Sequence, residues 1–144
     1  MHWFQPLEQR ILDWRKWRCS LSNDLQQSAQ EIISFWSSSP LRKVSKLSDD
    51  PKDWPDPWKL FDSNSYCELM RGLGAFYSLC LHPELAKSNP TLYILYDDIG
   101  QRRTVVSLGD IVIGYIDDTD LTKILNTHQL LGKYTAEDFD FLKN

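Results

Sequence analysis

Cys67 is the residue in this chain best placed to do chemistry. It follows a polar run, Asp62-Ser63-Asn64-Ser65-Tyr66, and precedes an apolar stretch, so it falls where a turn enters a helix. Ser65 and Glu68 have the S-x-x-E spacing of a capping box, which makes Ser65 the expected N-cap and puts Cys67 in the first turn. A thiol there feels the positive end of the helix macrodipole, which lowers its pKa and favours the nucleophilic thiolate. Cysteine catalysis also needs an imidazole to take the thiol proton and an acid or amide to orient the imidazole. The histidines are His2, His82 and His128. His82 lies fifteen residues along the same expected helix, about 22 Å away at about 1.5 Å per residue and out of hydrogen-bond reach. His2 is near the start of the chain, and His128 falls on an expected C-terminal helix. The competing reading of Cys67 is a small, semi-apolar core side chain.

The elements around Cys67 divide the chain into an arm, a connector and a body. All six tryptophans (Trp3, Trp14, Trp17, Trp36, Trp54, Trp58) precede residue 59, whereas the β-forming apolar residues cluster after residue 90. In the arm, residues 1–39, Leu7, Ile11, Trp14, Leu21, Leu25, Ile32 and Phe35 recur at helical steps. Pro6 suits a first turn, and Ser20-Leu21-Ser22-Asn23-Asp24 either interrupts one long helix or separates a pair. Arg10, Arg15, Lys16 and Arg18 surround Trp14 and Trp17. Trp and Arg are enriched at binding hot spots, so Arg10, Trp14, Arg15, Trp17 and Arg18 form a candidate partner-binding face. The alternatives are a helix whose tryptophans pack on the body, or an amphipathic membrane helix; Glu8 and Asp13 on the polar face count against the membrane. The connector, residues 40–58, is polar and irregular, and ends in Trp54-Pro55-Asp56-Pro57-Trp58, whose prolines forbid a helix interior.

The body, residues 59–144, opens with a helix over Tyr66–Leu81 that is apolar on a broad face. Gly72 and Gly74 within it imply that other elements approach its backbone closely. Strands are expected over 91–96, 104–108 and 111–116, the last two joined by Gly109-Asp110 as a tight hairpin. Asp120 is placed to cap a helix over Leu121–Leu131 that closes at Gly132, and Thr135 to cap a final turn. Helices packed on a small antiparallel meander make the fold class α+β.

Composition narrows the function. The chain has 144 residues, 42% hydrophobic and 25% charged, as expected of one globular domain with a real core. A net charge of −4 argues against general nucleic-acid binding. Three cysteines without framework spacing point to a reduced, intracellular setting. Neither a secretory leader nor an apolar run long enough to span a bilayer is recognised, so a soluble protein is expected, with no membrane association. Asp97, Asp98, Asp117, Asp118 and Asp120 match no calcium loop, and no phosphate loop or Cys/His metal spacing occurs; no cofactor or metal is expected.

A helix opening with cysteine and followed by an antiparallel sheet resembles the core of transglutaminase-like and papain-like cysteine proteinases. In the bacterial transglutaminase-like group a Trp-x-x-Pro stretch precedes Gly-Asp-Cys-Glu-Asp at the head of the core helix. Here Trp54, Pro57 and Trp58 precede Tyr66-Cys67-Glu68-Leu69, so Cys67 and Glu68 match while the flanking residues do not. The resemblance, over residues 53–118, implies a histidine near Arg103–Val106 and an acid near Asp117. That histidine is missing. Residues 53–82, with the W-P-x-P-W segment and the Cys-bearing helix, also resemble short uncharacterised proteins of large tailed phages, especially cyanophages.

The expectation is a non-catalytic phage protein with a degenerate transglutaminase-like core, a virion or assembly component found in the virion or the infected host cytoplasm. It binds a phage or host protein through the arm, or self-associates there. The alternatives are a cysteine peptidase or amidase using Cys67 and Asp117, and a small host-modifying factor.

Overall fold

A computed structural model of the chain describes residues 2–42, 47–114 and 120–143. Helix α1 spans Leu7–Cys19 and α2 spans Leu25–Ser37, the latter started by Asp24, whose carboxylate accepts the Gln27 N–H at 2.8 Å. The arm is therefore a helix pair, broken just after Cys19. Asp56 and Pro57 start a short helix α3, Pro57–Ser63, that ends at Asn64 in the left-handed conformation (φ 47°). Helix α4, Glu68–Cys80, leads to strands β1 (Thr91–Tyr96), β2 (Arg102–Leu108) and β3 (Ile111–Gly114). Helix α5 (Leu121–Thr127) and strand β4 (Gln129–Tyr134) follow. The fold is α+β: the strands form one antiparallel sheet in the order β3-β2-β1-β4.

α4 is the axis of the core. Its backbone is bare at two glycines, and a different element fills each gap. The space a Cβ would take at Gly72 is occupied by the Thr104 methyl of β2, and at Gly74 by the Trp36 ring of α2, with ring atoms 2.5–2.6 Å from the ideal Cβ position. The sheet and the arm thus press on α4 from separate sides, the close approach that the two glycines imply. One hydroxyl finishes the contact with the arm. Ser78 accepts the indole N–H of Trp14 at 3.0 Å and of Trp36 at 3.3 Å, and donates to the Gly74 carbonyl at 2.7 Å. Arg71, also on α4, donates to the Ser37 and Ser39 carbonyls and so satisfies the end of α2.

Both faces of the sheet are covered. Leu92, Ile94, Val106, Leu108 and Ile113 join the main core with α4 and the arm, while Tyr93, Leu95 and Val105 form a second cluster with Ile124 of α5. The expected C-terminal helix over Leu121–Leu131 is corrected here: it stops at Thr127 and the chain becomes β4. The reason is tertiary. β1 has a second edge to satisfy, and β4 pairs along it with a register shift at Leu131. Gly132 is a strand residue rather than a helix cap, and its missing side chain makes room for the Tyr134 ring. The final stretch folds into two 3-10 turns, Ala136–Asp138 under a Thr135 capping box and Asp140–Leu142, with Phe139 buried between them.

Two predictions rest on this core. Ser78→Ala leaves two buried indole donors without their acceptor and lowers unfolding stability by about 2–4 kcal/mol, measurable by urea denaturation. Alkaline pH also unfolds the protein early. Burial pushes the Cys80 thiol up to about 12 from an ordinary 9.0. Burial likewise raises Tyr77, helped by Asp56 and Cys80, and raises Tyr66 against an opposing effect of Arg10. The folded chain keeps these protons where the unfolded chain has released them. Stability is therefore intact below about pH 9, falls above it through Cys80, and falls further above about pH 10 through the two tyrosines, by about 1.4 kcal/mol per pH unit for each group.

Candidate functional site

The chain reaches Cys67 by a route that fixes it tightly. After Asn64 it crosses the connector, where the Tyr66 N–H donates to the Pro40 carbonyl at 2.8 Å and the Arg42 N–H donates to the Tyr66 carbonyl at 2.9 Å. Tyr66 is fully buried among Trp3 and Trp36. Cys67 is itself the N-cap of α4 (φ −77°, ψ 176°), and its thiol makes no capping bond. The expected capping box is therefore corrected. Ser65 accepts from the Arg42 Nε at 3.2 Å, and Glu68 turns away from it towards the sheet. The Glu68 carboxylate takes the Thr104 N–H at 2.9 Å and the Arg103 guanidinium at 3.1–3.3 Å, a stronger set of donors than one backbone N–H.

Cys67 stands on the wall between two cavities. The larger is an open groove of about 610 Å³ between the head of α4, the start of β2 and residues 47–49 of the connector. Its polar wall is a chain of ion pairs. Arg103 bridges Glu68 and, at 3.9 Å, Asp97; Arg102 bonds the Leu47 carbonyl at 2.8 Å and the Asp49 carboxylate at 2.9 Å. The second cavity, about 260 Å³, lies on the other side of Cys67 under the connector.

The strand position at which the resemblance requires a histidine is held by Arg103 and Thr104. A guanidinium stays protonated at every relevant pH and cannot take a proton from a thiol. The histidines are employed elsewhere. His82 is buried and its Nδ1 accepts the N–H groups of Glu84 and Leu85, both at 3.2 Å. His128 Nδ1 lies 3.0 Å from the Ile124 carbonyl, and His2 is exposed beside Phe4. None of the three lines either cavity. Asp117, the expected acid, lies outside the described residues, as does Asp118. Asp120 caps α5, Asp97 holds the β1–β2 turn, and among the described residues no group of three or more His, Cys, Asp or Glu is arranged to hold a metal ion.

Most of the partner-binding face expected on α1 lies inside the protein. Trp14 is 3% exposed against Phe61 and Ser78, and Arg10 is 7% exposed with its guanidinium on the Phe61 carbonyl at 2.8 Å. Trp17 is half-buried, stacked on Phe35 at 3.9 Å, and Arg18 covers the Trp14 ring at 4.1 Å. Of the five, Arg15 alone is exposed. A basic helix carrying tryptophan is consistent with either role in sequence, and the hydrogen-bond acceptors that α4 offers decide between them. Sequence reasoning in turn missed Arg102 and Arg103 as site residues. Their one signal was two consecutive cations at the mouth of a strand.

Glu68→Gln keeps an acceptor for the Thr104 N–H but loses the ion pair with Arg103. Both side chains are about a quarter exposed, so the loss is held to about 1 kcal/mol, and the gap from wild type narrows in molar salt. Urea titrations at low and high salt check both statements. Comparison with protein-family models, with curated proteins and with solved structures returns no match for this chain.

Proposed function

We propose that this protein is a non-catalytic binding module that receives a charged segment of a partner protein in the groove at the head of α4. One observation carries the reading: the Glu68–Arg103 pair stands where a cysteine enzyme needs its base. None of the three histidines lines either cavity, and a cysteine at a helix head that is 3% exposed is accounted for as a wall residue. The rest of the groove suits recognition. Asp49 and Glu68 alternate with Arg102 and Arg103 along an open channel, and their ion pairs are partly exposed, so exchange for a partner's charges is inexpensive. The arm supports this surface from behind rather than docking the partner itself.

The likeness of residues 53–82 to short phage proteins supports a setting in which the partner is a phage or host protein. A virion or assembly component is the favoured role, with a small host-directed factor second. Recovery of the protein in purified particles is the expected result, and recovery in the host cytoplasm alone transfers the proposal to the host-directed role.

Alkylation tests the absence of catalysis. With iodoacetamide at neutral pH, exposed Cys19 labels in the folded protein, whereas Cys67 stays protected by burial and half-buried Cys80 by its raised pKa until the chain unfolds. Selective labelling of Cys67 ahead of Cys19 reverses the conclusion and restores a cysteine peptidase or amidase.

A further inference from the structure

The second cavity beside Cys67 has a composition unlike the groove. Its floor is apolar, made by Met70 of α4 and by Trp54 and Pro55 of the connector. Around it stand three cations, Arg42, Lys52 and Lys59, which come from three separate places: the start of the connector, a 3-10 turn over Pro51–Asp53, and α3. None of the three is in an ion pair among the described residues, although Arg42 donates from Nε to the Ser65 hydroxyl at 3.2 Å.

The surroundings make that arrangement informative. The chain carries a net charge of −4, and the connector alone holds Asp49, Asp50, Asp53 and Asp56. Each of these carboxylates makes another contact, and each keeps its negative charge. Asp49 bonds Arg102, Asp50 caps the 3-10 turn through the Lys52 N–H, Asp56 caps α3 through the Lys59 N–H, and Asp53 accepts the Ser48 hydroxyl at 2.6 Å. Of them Asp53 alone lines the cavity, so among the described residues three cations and one carboxylate stand around an apolar floor. Like charges gathered around one concavity repel one another, though solvent screens the exposed Lys52 and Lys59, and a bound anion relieves that repulsion while its apolar part covers the floor.

We infer that this cavity binds a small organic anion, a phosphate monoester or carboxylate carried on a short apolar body such as one aromatic ring. The charged head lies among Arg42, Lys52 and Lys59, and the body lies on Trp54, Pro55 and Met70. A volume of about 260 Å³ accepts a ligand of that size and excludes a dinucleotide or a long acyl chain. The site goes beyond the proposed partner groove and stands on different residues, sharing only Leu47 and Cys67 with it. Failure of either leaves the other in place.

Phenyl phosphate is the probe, followed by two-dimensional NMR on the full chain with the Trp54 indole N–H as reporter. Trp54 lines the cavity, and its indole N–H donates at 2.8 Å to the carbonyl of Ser48, a residue of the neighbouring groove. Saturable shifts at Trp54 and Met70 are expected, with benzoate acting at the same residues. Neutral benzyl alcohol is expected to bind at least about tenfold more weakly, the scale of one charge-assisted contact. Lys52→Gln with Lys59→Gln alters two exposed side chains, and the spectrum itself reports that the fold persists. The double variant is expected to weaken phenyl phosphate about tenfold or more and to leave benzyl alcohol unchanged. Equal affinity for phenyl phosphate and benzyl alcohol overturns the inference. So does an undiminished response in the double variant, or shifts confined to Arg102 and Arg103 in the groove.

Discussion

The Ser78 hydroxyl is the point on which this fold turns. A serine oxygen offers one proton and two lone pairs, and here all three are used: two indole N–H groups come in and one bond goes back to the carbonyl of Gly74. The bond to the carbonyl four residues earlier orients the hydroxyl, so its lone pairs face the two tryptophans of the arm. Gly74 lies one turn before Ser78 on the same side of α4, and its bare backbone admits the Trp36 ring that delivers one of those N–H groups. The acceptor and the space are therefore supplied together. A larger residue at 74 denies the ring its seat, and an apolar residue at 78 strands both donors in a core where an unsatisfied group is expensive.

From that node the remaining constraints follow outward. Because Trp14 and Trp36 are fixed on α4, the two arm helices cannot stand apart from the body as a docking arm, and Trp3, Phe35, Phe61 and Tyr66 complete one aromatic cluster with Trp36. The cluster buries Tyr66, and Tyr66 pins the connector through its two backbone bonds to Pro40 and Arg42. The next residue is Cys67. Its position at the head of α4 is thus set by aromatic packing behind it, with Glu68 drawn forwards to the sheet by Arg103 and the Thr104 N–H. A thiol in that situation has a structural explanation that needs no reaction.

Much of this was legible in the sequence, and the misses have physical causes. β1 was read at its true bounds because Thr91–Tyr96 is a pure β-forming run between Pro90 and Asp97. Gly72 and Gly74 announced close approach because nothing else justifies glycine inside a helix, though only the structure names Thr104 and Trp36 as the neighbours. β4 was missed because Leu121–Leu131 carries a cap, apolar spacing and a terminal glycine that all suit a helix. What overrides them is the edge of β1, which lies more than thirty residues away in sequence and leaves no local mark. The S-x-x-E box at Ser65 failed for a similar reason: its glutamate had a better partner across the fold. The cations of the smaller cavity come from an irregular connector and two short helical segments, so no periodicity could have grouped them.

The two cavities divide their labour through Cys67. Cys67 and Leu47 line both, so the head of α4 and the connector separate a channel walled by ion pairs from a smaller cup where Arg42, Lys52 and Lys59 stand around Met70, Trp54 and Pro55. In the channel each cation has a carboxylate within ion-pair distance, so Arg102 and Arg103 hold geometry as much as they offer charge. In the cup Asp50 and Asp56 keep their charges while capping a 3-10 turn and α3, and of the connector's aspartates Asp53 alone lines the cavity with Arg42, Lys52 and Lys59. The difference is made by where the aspartates' backbone partners lie, rather than by how many charges each side contains. That is why a chain acidic overall can still present a local excess of positive charge, and why net charge excludes broad polyanion binding without excluding one small anion.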